Sequence, residues 1–241
     1  MIKISQIETM GMFDGPGIRM VLFLQGCPLR CRYCHNPETW DPKKGKEYET
    51  KEIIELILKY KNYFGSDGGV TLSGGEPLLQ AESLIPLCKK LKANNINIAL
   101  DTSGVGDRSF YKELLKYIDL VILDIKAIDN ESYEKLTGSK IEASLEFLDE
   151  AQKQEKKLWI RSVIVPNIND NEDYINKLII FLMNVKNIEK VELLPYHTLG
   201  VNKYKTLGIK YSLDGVKPMD KDIVAIYQNK INNILNLKKE D

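Results

Sequence analysis

Short apolar runs alternate along the chain with longer segments in which apolar residues recur every three or four positions. Several of the short runs are apolar almost throughout, which is typical of parallel strands buried on both faces. We therefore predict six strands, at Ile18–Leu24, Gly69–Ser73, Ile96–Asp101, Leu120–Ile125, Leu158–Val165 and Val191–Leu194.

The longer segments carry one apolar stripe at helical spacing, as amphipathic helices do. The predicted helices are Thr50–Phe64, Ser83–Asn94, Ser109–Tyr117, Ile141–Glu155, Glu172–Met183 and, last, about Asp220–Leu235. Strands that alternate with helices indicate a parallel sheet with right-handed crossovers. Six such units are fewer than the eight of a closed barrel, so the sequence predicts an α/β fold with a partial, open (β/α)6 barrel.

No linker or repeat divides the chain, and we predict a single domain over residues 1–241. Its core covers about residues 2–200, and a C-terminal helix covers about residues 218–236. The last four residues, from Lys238, are predicted to form a frayed tail.

Charge and composition exclude some classes of partner. The 241 residues include 34 basic and 34 acidic side chains, so the chain lacks the excess positive charge of nucleic-acid-binding proteins. No apolar run approaches the ~18 residues of a membrane span, and the N-terminus lacks the pattern of a signal peptide. Cysteines without an export signal indicate a reducing compartment. We expect a cytoplasmic protein that binds neither nucleic acid nor membrane.

Three of the four cysteines lie close together, in the run Cys27-Pro-Leu-Arg-Cys31-Arg-Tyr-Cys34. Iron–sulfur clusters are normally held by four thiolates, so three thiols would leave one iron open to a small molecule if the distant Cys88 is not a ligand. A zinc site is an alternative, although the second Cys or His pair of zinc motifs is missing. A disulfide is another, but it would leave one thiol of the three unpaired. We predict that Cys88 is a buried free thiol.

Polar residues follow or close five of the predicted strands. They are the cysteine loop, the segment Ser73-Gly-Gly-Glu76, the pair Asp101 and Thr102, the pair Asp124 and Lys126, and the segment Tyr196-His197. Because the carboxyl ends of strands build the active sites of α/β barrels, we expect these groups to converge on one mouth.

Taken one at a time, these residues also have structural explanations. The glycines after the second strand suit an ordinary turn, and Asp124 with Lys126 suits a salt bridge at a strand end. Asp101 suits a loop cap, and a lone His197 suits a structural role. Arg161, in an apolar strand, points either outward or into a polar barrel interior.

The CxxxCxxC run, followed by His-Asn-Pro and later by Gly74-Gly75-Glu76-Pro77, resembles the radical S-adenosylmethionine (SAM) superfamily. Within it, the chain resembles the pyruvate formate-lyase activating enzymes from about residue 2 to Pro218. The blocks that carry this resemblance are Asp14–Arg19, Tyr33–Asn36, Ser73–Glu76, Leu100–Gly104, Leu123–Lys126, Trp159–Arg161 and Leu193–His197.

The resemblance implies roles for particular residues. Cys27, Cys31 and Cys34 would hold one [4Fe–4S] cluster, to which SAM binds. The residues implied to contact SAM are Tyr33, His35, Gly74, Gly75, Glu76, Asp124, Lys126, Arg161 and His197. A monovalent cation is implied at Asp101, Thr102 and the backbone carbonyl of Ile122, and the partner's peptide at Asp14, Gly15, Pro16 and Gly17.

The resemblance also implies the activity. A 5′-deoxyadenosyl radical made from SAM removes hydrogen from a backbone glycine of pyruvate formate-lyase, with flavodoxin or ferredoxin as the electron donor, and the enzyme is expected to be a monomer. No conventional acid–base pair is implied, because the cluster and SAM carry the chemistry. No cysteine-rich insert separates Cys34 from Gly74, which favours this compact type. Activation of a different glycyl radical enzyme remains an alternative, and a non-radical zinc-binding or electron-transfer protein is a more distant one.

Overall fold

The computed structural model describes residues 1–237, so the predicted tail from Lys238 lies outside the described residues. The strands are β1 (Ile2–Gly11), β2 (Arg19–Leu24), β3 (Lys46–Tyr48), β4 (Gly69–Gly74), β5 (Asn97–Thr102), β6 (Leu120–Asp124), β7 (Lys157–Ile164) and β8 (Ile188–Pro195). They form one sheet in the order β3-β1-β2-β4-β5-β6-β7-β8.

The six strands from β2 to β8, β3 excepted, pair in parallel, and this confirms the predicted open (β/α)6 arrangement. The prediction missed β1 and β3, which pair antiparallel at one edge. In β1, buried Ile2 and Ile4 alternate with polar residues and most of the second half is exposed or partly exposed, while β3 has only 3 residues, so neither forms the continuous apolar run of a buried strand.

The helices are α1 (Thr50–Tyr60), α2 (Ala81–Ala93), α3 (Tyr111–Leu115), α4 (Asn130–Thr137), α5 (Glu142–Lys153), α6 (Glu172–Leu182), α7 (Val201–Leu207) and α8 (Lys221–Leu235). The prediction missed α4 and α7, which are short and contribute few buried residues. Both end at a glycine in the left-handed conformation, Gly138 and Gly208. No helix within the described residues is long and apolar enough to cross a membrane.

Side chains alternate between the two faces of the parallel strands. The outward face is apolar and packs under the helices, with Leu22, Leu72, Leu100, Leu123 and Ile160 fully buried in the core. The inward face combines a small apolar cluster around Ile122 with the polar side chains of Arg19, Thr71, Asp101, Asp124, Arg161 and Glu192. Arg161, whose direction the sequence left open, therefore faces the barrel interior.

Candidate active site

A cavity of about 270 Å³ lies at the carboxyl ends of the parallel strands. All three clustered cysteines line it. The other predicted residues that line it are Asp14, Tyr33, His35, Gly74, Gly75, Asp101, Thr102, Asp124 and Lys126. The predicted residues outside this lining are Gly15, Pro16, Gly17, Glu76, Ile122, Arg161 and His197. The structure thus brings most of the predicted groups to one mouth.

The cysteine loop is held in place by the two helices that the prediction missed. The Arg30 amide donates to the carbonyl of Thr137, the last residue of α4, over 2.7 Å. On α7, the Tyr204 hydroxyl donates to the Cys34 carbonyl over 2.9 Å. The Arg30 guanidinium in turn donates to the Cys27 carbonyl over 2.8 Å. The backbone of the loop is therefore held by hydrogen bonds to α4 and α7.

The three thiols are poorly solvated in the cavity wall. Burial raises the pKa of Cys27 and Cys34, and it raises that of Cys31 to about 12 although Lys126 opposes the increase. A bound metal would reverse this effect, since ligation displaces the thiol proton. In residues 1–237, no three Cys, His, Asp or Glu side chains converge as ligands of a single ion. Thiolates that each hold a different iron of one cluster do not need that convergence.

The glycine loop after β4 packs tightly against the end of β2. A Cβ on Gly74, whose φ is +112°, would lie 2.2 Å from the Leu24 nitrogen. A Cβ on Gly75 would lie 2.2 Å from the Gly26 oxygen. Only glycine fits both positions, and the loop is thereby joined to the segment that leads into Cys27.

Glu76 is buried beneath the cavity instead of lining it, with 1% of its surface exposed. One carboxylate oxygen accepts hydrogen bonds from the Leu78 amide and the Thr102 hydroxyl. The other accepts from both the amide and the hydroxyl of Ser103. Glu76 therefore ties the glycine loop to the loop after β5, and its oxygens already have four donors.

Asp124 and Lys126 form a partly buried ion pair in the cavity wall. The Lys126 ammonium donates to Oδ2 of Asp124 over 2.5 Å. Burial alone would lower the pKa of Lys126, but Asp124, Tyr33 and Cys31 raise it well above its usual value. The predicted salt bridge is present, yet Oδ1 of Asp124 is buried with no hydrogen-bond partner among the described residues. This oxygen is an available acceptor for a ligand's ammonium or hydroxyl group.

The proposed cation ligands lie on neighbouring strands. Asp101 pairs with Ile122 in the sheet register and accepts a hydrogen bond from the Ser73 hydroxyl over 2.8 Å. Burial raises the pKa of Asp101, while Arg161, 3.9 Å away, opposes the increase. The Thr102 hydroxyl donates to Glu76 and accepts from the Gly104 amide over 2.9 Å.

Two histidines close one side of the mouth. The rings of His35 and His197 stack with 4.0 Å between centroids, and Nε2 of His35 lies 3.1 Å from the His197 carbonyl oxygen. Burial lowers the pKa of His35, which keeps the ring neutral at neutral pH. His197 thus supports a cavity residue and does not itself line the cavity.

Arg161 crosses the barrel interior and touches three protein groups. Its Nε donates to Glu192 over 2.7 Å, and Nη2 donates to the Phe13 carbonyl over 2.7 Å. Its third partner is the Asp101 carboxylate. The sequence analysis did not predict Glu192 as a site residue. A signal was available, because Glu192 lies two residues before Leu194, which lines the cavity, and residues two apart share one face of a strand.

The chain has clear relatives. The model of the family described as Radical SAM superfamily matches residues 21–179. Over 221 residues, the chain is 49% identical to the pyruvate formate-lyase-activating enzyme of Clostridium pasteurianum. This match covers 91% of this chain and 92% of that relative. This chain belongs to the pyruvate formate-lyase-activating enzyme family of radical SAM proteins. The resemblance inferred from the motifs is confirmed.

Solved structures show the same fold. A domain of a pyruvate-formate lyase-activating enzyme from Bacteroides vulgatus has a TM-score of 0.55 and 25% identity, and the match covers 70% of this chain and 93% of that one. Streptococcus suis SuiB, solved with its precursor peptide SuiA, has a TM-score of 0.65 over 88% of this chain and 44% of that chain. At 18% identity, the SuiB match shows the fold alone.

Membership of the radical SAM family implies a [4Fe–4S] cluster and SAM, and the cavity suits both. Three thiols line one wall, while Asp124 and Lys126 supply an unused acceptor oxygen and an ammonium close by. Cys88 does not compete for the cluster, because it is fully buried on α2 and does not line the cavity.

Asp14 is expected to make the stability of this radical SAM protein depend on pH. Burial raises the pKa of Asp14 to about 6, Asp101 adds to the increase, and Arg161 opposes it. A folded pKa above the unfolded one means that Asp14 favours folding below about pH 4, an effect lost as the pH rises through 6. Asp14→Asn should therefore stabilise the apoprotein above pH 6, by about 1 kcal/mol after discounting for solvent screening.

Urea unfolding at pH 4 and pH 7.5 measures this effect. The gain from Asp14→Asn should be present at pH 7.5 and shrink toward zero at pH 4. A gain of equal size at both pH values would mean that Asp14 is not the titrating group.

Proposed function

We propose that this chain activates pyruvate formate-lyase by removing a hydrogen atom from one of its backbone glycines. The observation that carries the proposal is the convergence of three thiols and an unused carboxylate oxygen on one cavity. The relative that is 49% identical over nearly the whole chain is named for activation of the same partner.

The cavity residues bind and orient the two cofactors in this proposal. Cys27, Cys31 and Cys34 hold the cluster. The bound cluster would supply the one-electron reduction of SAM from which the hydrogen-abstracting radical is made. In this proposal, Oδ1 of Asp124 accepts a hydrogen bond from the ammonium or ribose of SAM, and Lys126 donates to the carboxylate of SAM.

The remaining predicted residues shape the cavity. Gly74 and Gly75 would hold the methionyl part of SAM, and Tyr33 and His35, with His197 behind, would enclose its adenosyl part. Glu76 and Arg161 act through the loops that they hold, since their polar atoms are already bound by protein groups.

A monovalent cation beside SAM is part of the proposal, with Asp101, Thr102 and the Ile122 carbonyl as its ligands. Its support is the buried Asp101 carboxylate, whose pKa is raised by burial and whose charge a cation would offset. The Thr102 hydroxyl already donates to Glu76 and accepts from the Gly104 amide, so it would offer the cation its remaining lone pair.

The partners follow from the same assignment. Asp14, Gly15, Pro16 and Gly17 receive the glycine-bearing peptide, and flavodoxin or ferredoxin supplies electrons to a cytoplasmic monomer made of one domain. Free thiols at all four described cysteines suit a reducing compartment.

An activation assay tests the function. The anaerobic protein should be brown with about four irons per chain. Mixed with reductant, SAM and purified pyruvate formate-lyase, it should produce a glycyl radical signal in electron paramagnetic resonance (EPR), whereas a partner variant with alanine at the target glycine should give none. SAM cleavage without this signal would indicate a different glycyl radical enzyme as partner, and a colourless zinc protein would end the radical assignment.

A further inference from the structure

The segment between β1 and β2, residues 12–17, is an entry loop at the edge of the cavity. Asp14 lines the cavity, while Met12 and Phe13 point to solvent with 67% and 83% of their surface exposed. Large apolar side chains held in water beside a cavity are suited to contact another chain. Their position depends on what fixes the backbone of the loop.

Three side chains from the barrel interior bind three carbonyls of the entry loop. Arg161 on β7 donates to Phe13 over 2.7 Å, Thr71 on β4 donates to Asp14 over 2.6 Å, and Arg19 on β2 donates to Pro16 over 3.1 Å. The loop is thus attached to three different strands of the sheet.

Thr71 connects two of these attachments. Its hydroxyl accepts from Nε of Arg19 over 2.7 Å and donates its own proton to the Asp14 carbonyl. Both Thr71 and Arg19 are completely buried. The Arg19 guanidinium is held further by the Val70 carbonyl at 2.9 Å and the Asn97 side chain at 2.8 Å, so the base of this chain of hydrogen bonds is rigid.

The glycines of the entry loop allow its close approach to this base. A Cβ on Gly15, whose φ is +126°, would lie 2.9 Å from Cδ of Arg19. A Cβ on Gly17, whose φ is +69°, would lie 2.5 Å from the Gly68 nitrogen. Side chains at these positions would push the loop off its anchors.

We propose that Thr71, Arg19 and Arg161 are positioning residues that fix the entry loop before the partner arrives, so that Met12 and Phe13 are held ready to contact the polypeptide segment that delivers the glycine. The inference rests on the proposed function for the identity of that segment. A loop ordered in advance saves the entropy of ordering it on binding, so loss of the anchors should weaken partner binding and leave SAM binding intact.

Thr71→Val and Thr71→Ser in the reconstituted holoenzyme test this proposal. Valine keeps the shape of threonine but leaves Nε of Arg19 and the Asp14 carbonyl unpaired, while serine keeps the hydroxyl. In Thr71→Val, the rate of hydrogen exchange at the entry-loop amides and the KM for pyruvate formate-lyase should each rise about tenfold. A tenfold change corresponds to the free energy of one lost buried hydrogen bond. The Kd for SAM and kcat should stay within about twofold of the parent, and Thr71→Ser should restore the parent values.

Ser162→Ala is the matched control, since it deletes a buried strand hydroxyl that bonds Tyr174 on the outer side of the sheet. It should leave loop exchange and the partner's KM unchanged. If Thr71→Val does not fold, Arg161→Lys must show the same rise in exchange and KM, because lysine keeps the charge but lacks the fork that reaches Phe13.

Unchanged loop exchange in the folded variant, or a loss of SAM affinity equal to the loss of partner affinity, would overturn the proposal. The exchange measurement needs no partner. A parent enzyme that forms no glycyl radical would therefore refute the proposed function without deciding the role of the anchors.

Discussion

Alanine in place of Cys27, Cys31 or Cys34 is expected to remove the iron–sulfur cluster and all measurable radical formation. The three thiols are the cysteines that line the cavity, and each would be the sole protein ligand of its iron. With two thiolates left, one more iron loses its protein ligand, and activity should fall by at least about a thousandfold, as when an essential catalytic group is removed. Iron content, the EPR spectrum of the reduced protein and glycyl radical yield measure these losses.

Cys88→Ala is the control for these variants. Cys88 is completely buried on α2 among apolar neighbours, and it does not line the cavity in which the cluster would bind. Its replacement should cost about 1–2 kcal/mol of stability through a small cavity and leave the iron content unchanged. Cluster loss in Cys88→Ala would show that a fourth thiolate closes the iron, and SAM could then not bind there.

The parallel strands β2, β4, β5 and β6 were predictable because nearly all of their residues are buried and most are apolar. In β7 and β8 the shorter apolar runs around Ile160 and Leu193 gave the signal. β1 lies next to the short edge strand β3, and most of its residues are exposed or partly exposed, so it lacks the apolar run that marks a buried strand. The helices α4 and α7 were missed because they bury little surface of their own. They hold the cysteine loop through a few hydrogen bonds, from Leu136 and Thr137 on α4 and Tyr204 on α7, and such contacts leave no periodic pattern in the sequence.

The chemistry-bearing residues of the cavity were predictable because motifs and strand ends mark them. Sequence could not tell which side chains present free atoms to a ligand. Glu76 and Arg161 lie in motif blocks, yet neighbours bind their polar atoms. The role of Thr71 and Arg19 in holding the entry loop could not be predicted from the sequence. Their hydrogen-bond partners lie on other strands or in the entry loop, and these contacts are recognised only in the folded sheet.

Glu76→Gln is expected to destabilise the folded protein strongly. Each carboxylate oxygen of Glu76 accepts one backbone N–H, from Leu78 on one side and Ser103 on the other. An amide group has only one acceptor oxygen, so in either orientation its NH₂ faces a backbone donor that cannot turn away. Breaking such a buried charged network should lower the free energy of unfolding by about 3 kcal/mol.

Urea unfolding of Glu76→Gln at neutral pH measures the loss, and Glu55→Gln serves as the control. Glu55 lies on α1 with 62% of its side chain exposed and makes only an i,i+4 ion pair with Lys51, so its replacement should change stability little. Because Glu76 joins the glycine loop to Thr102 and Ser103, the variant should also bind SAM less tightly at temperatures where it stays folded. Equal stability of the two variants would mean that the four hydrogen bonds to Glu76 do not hold these loops together.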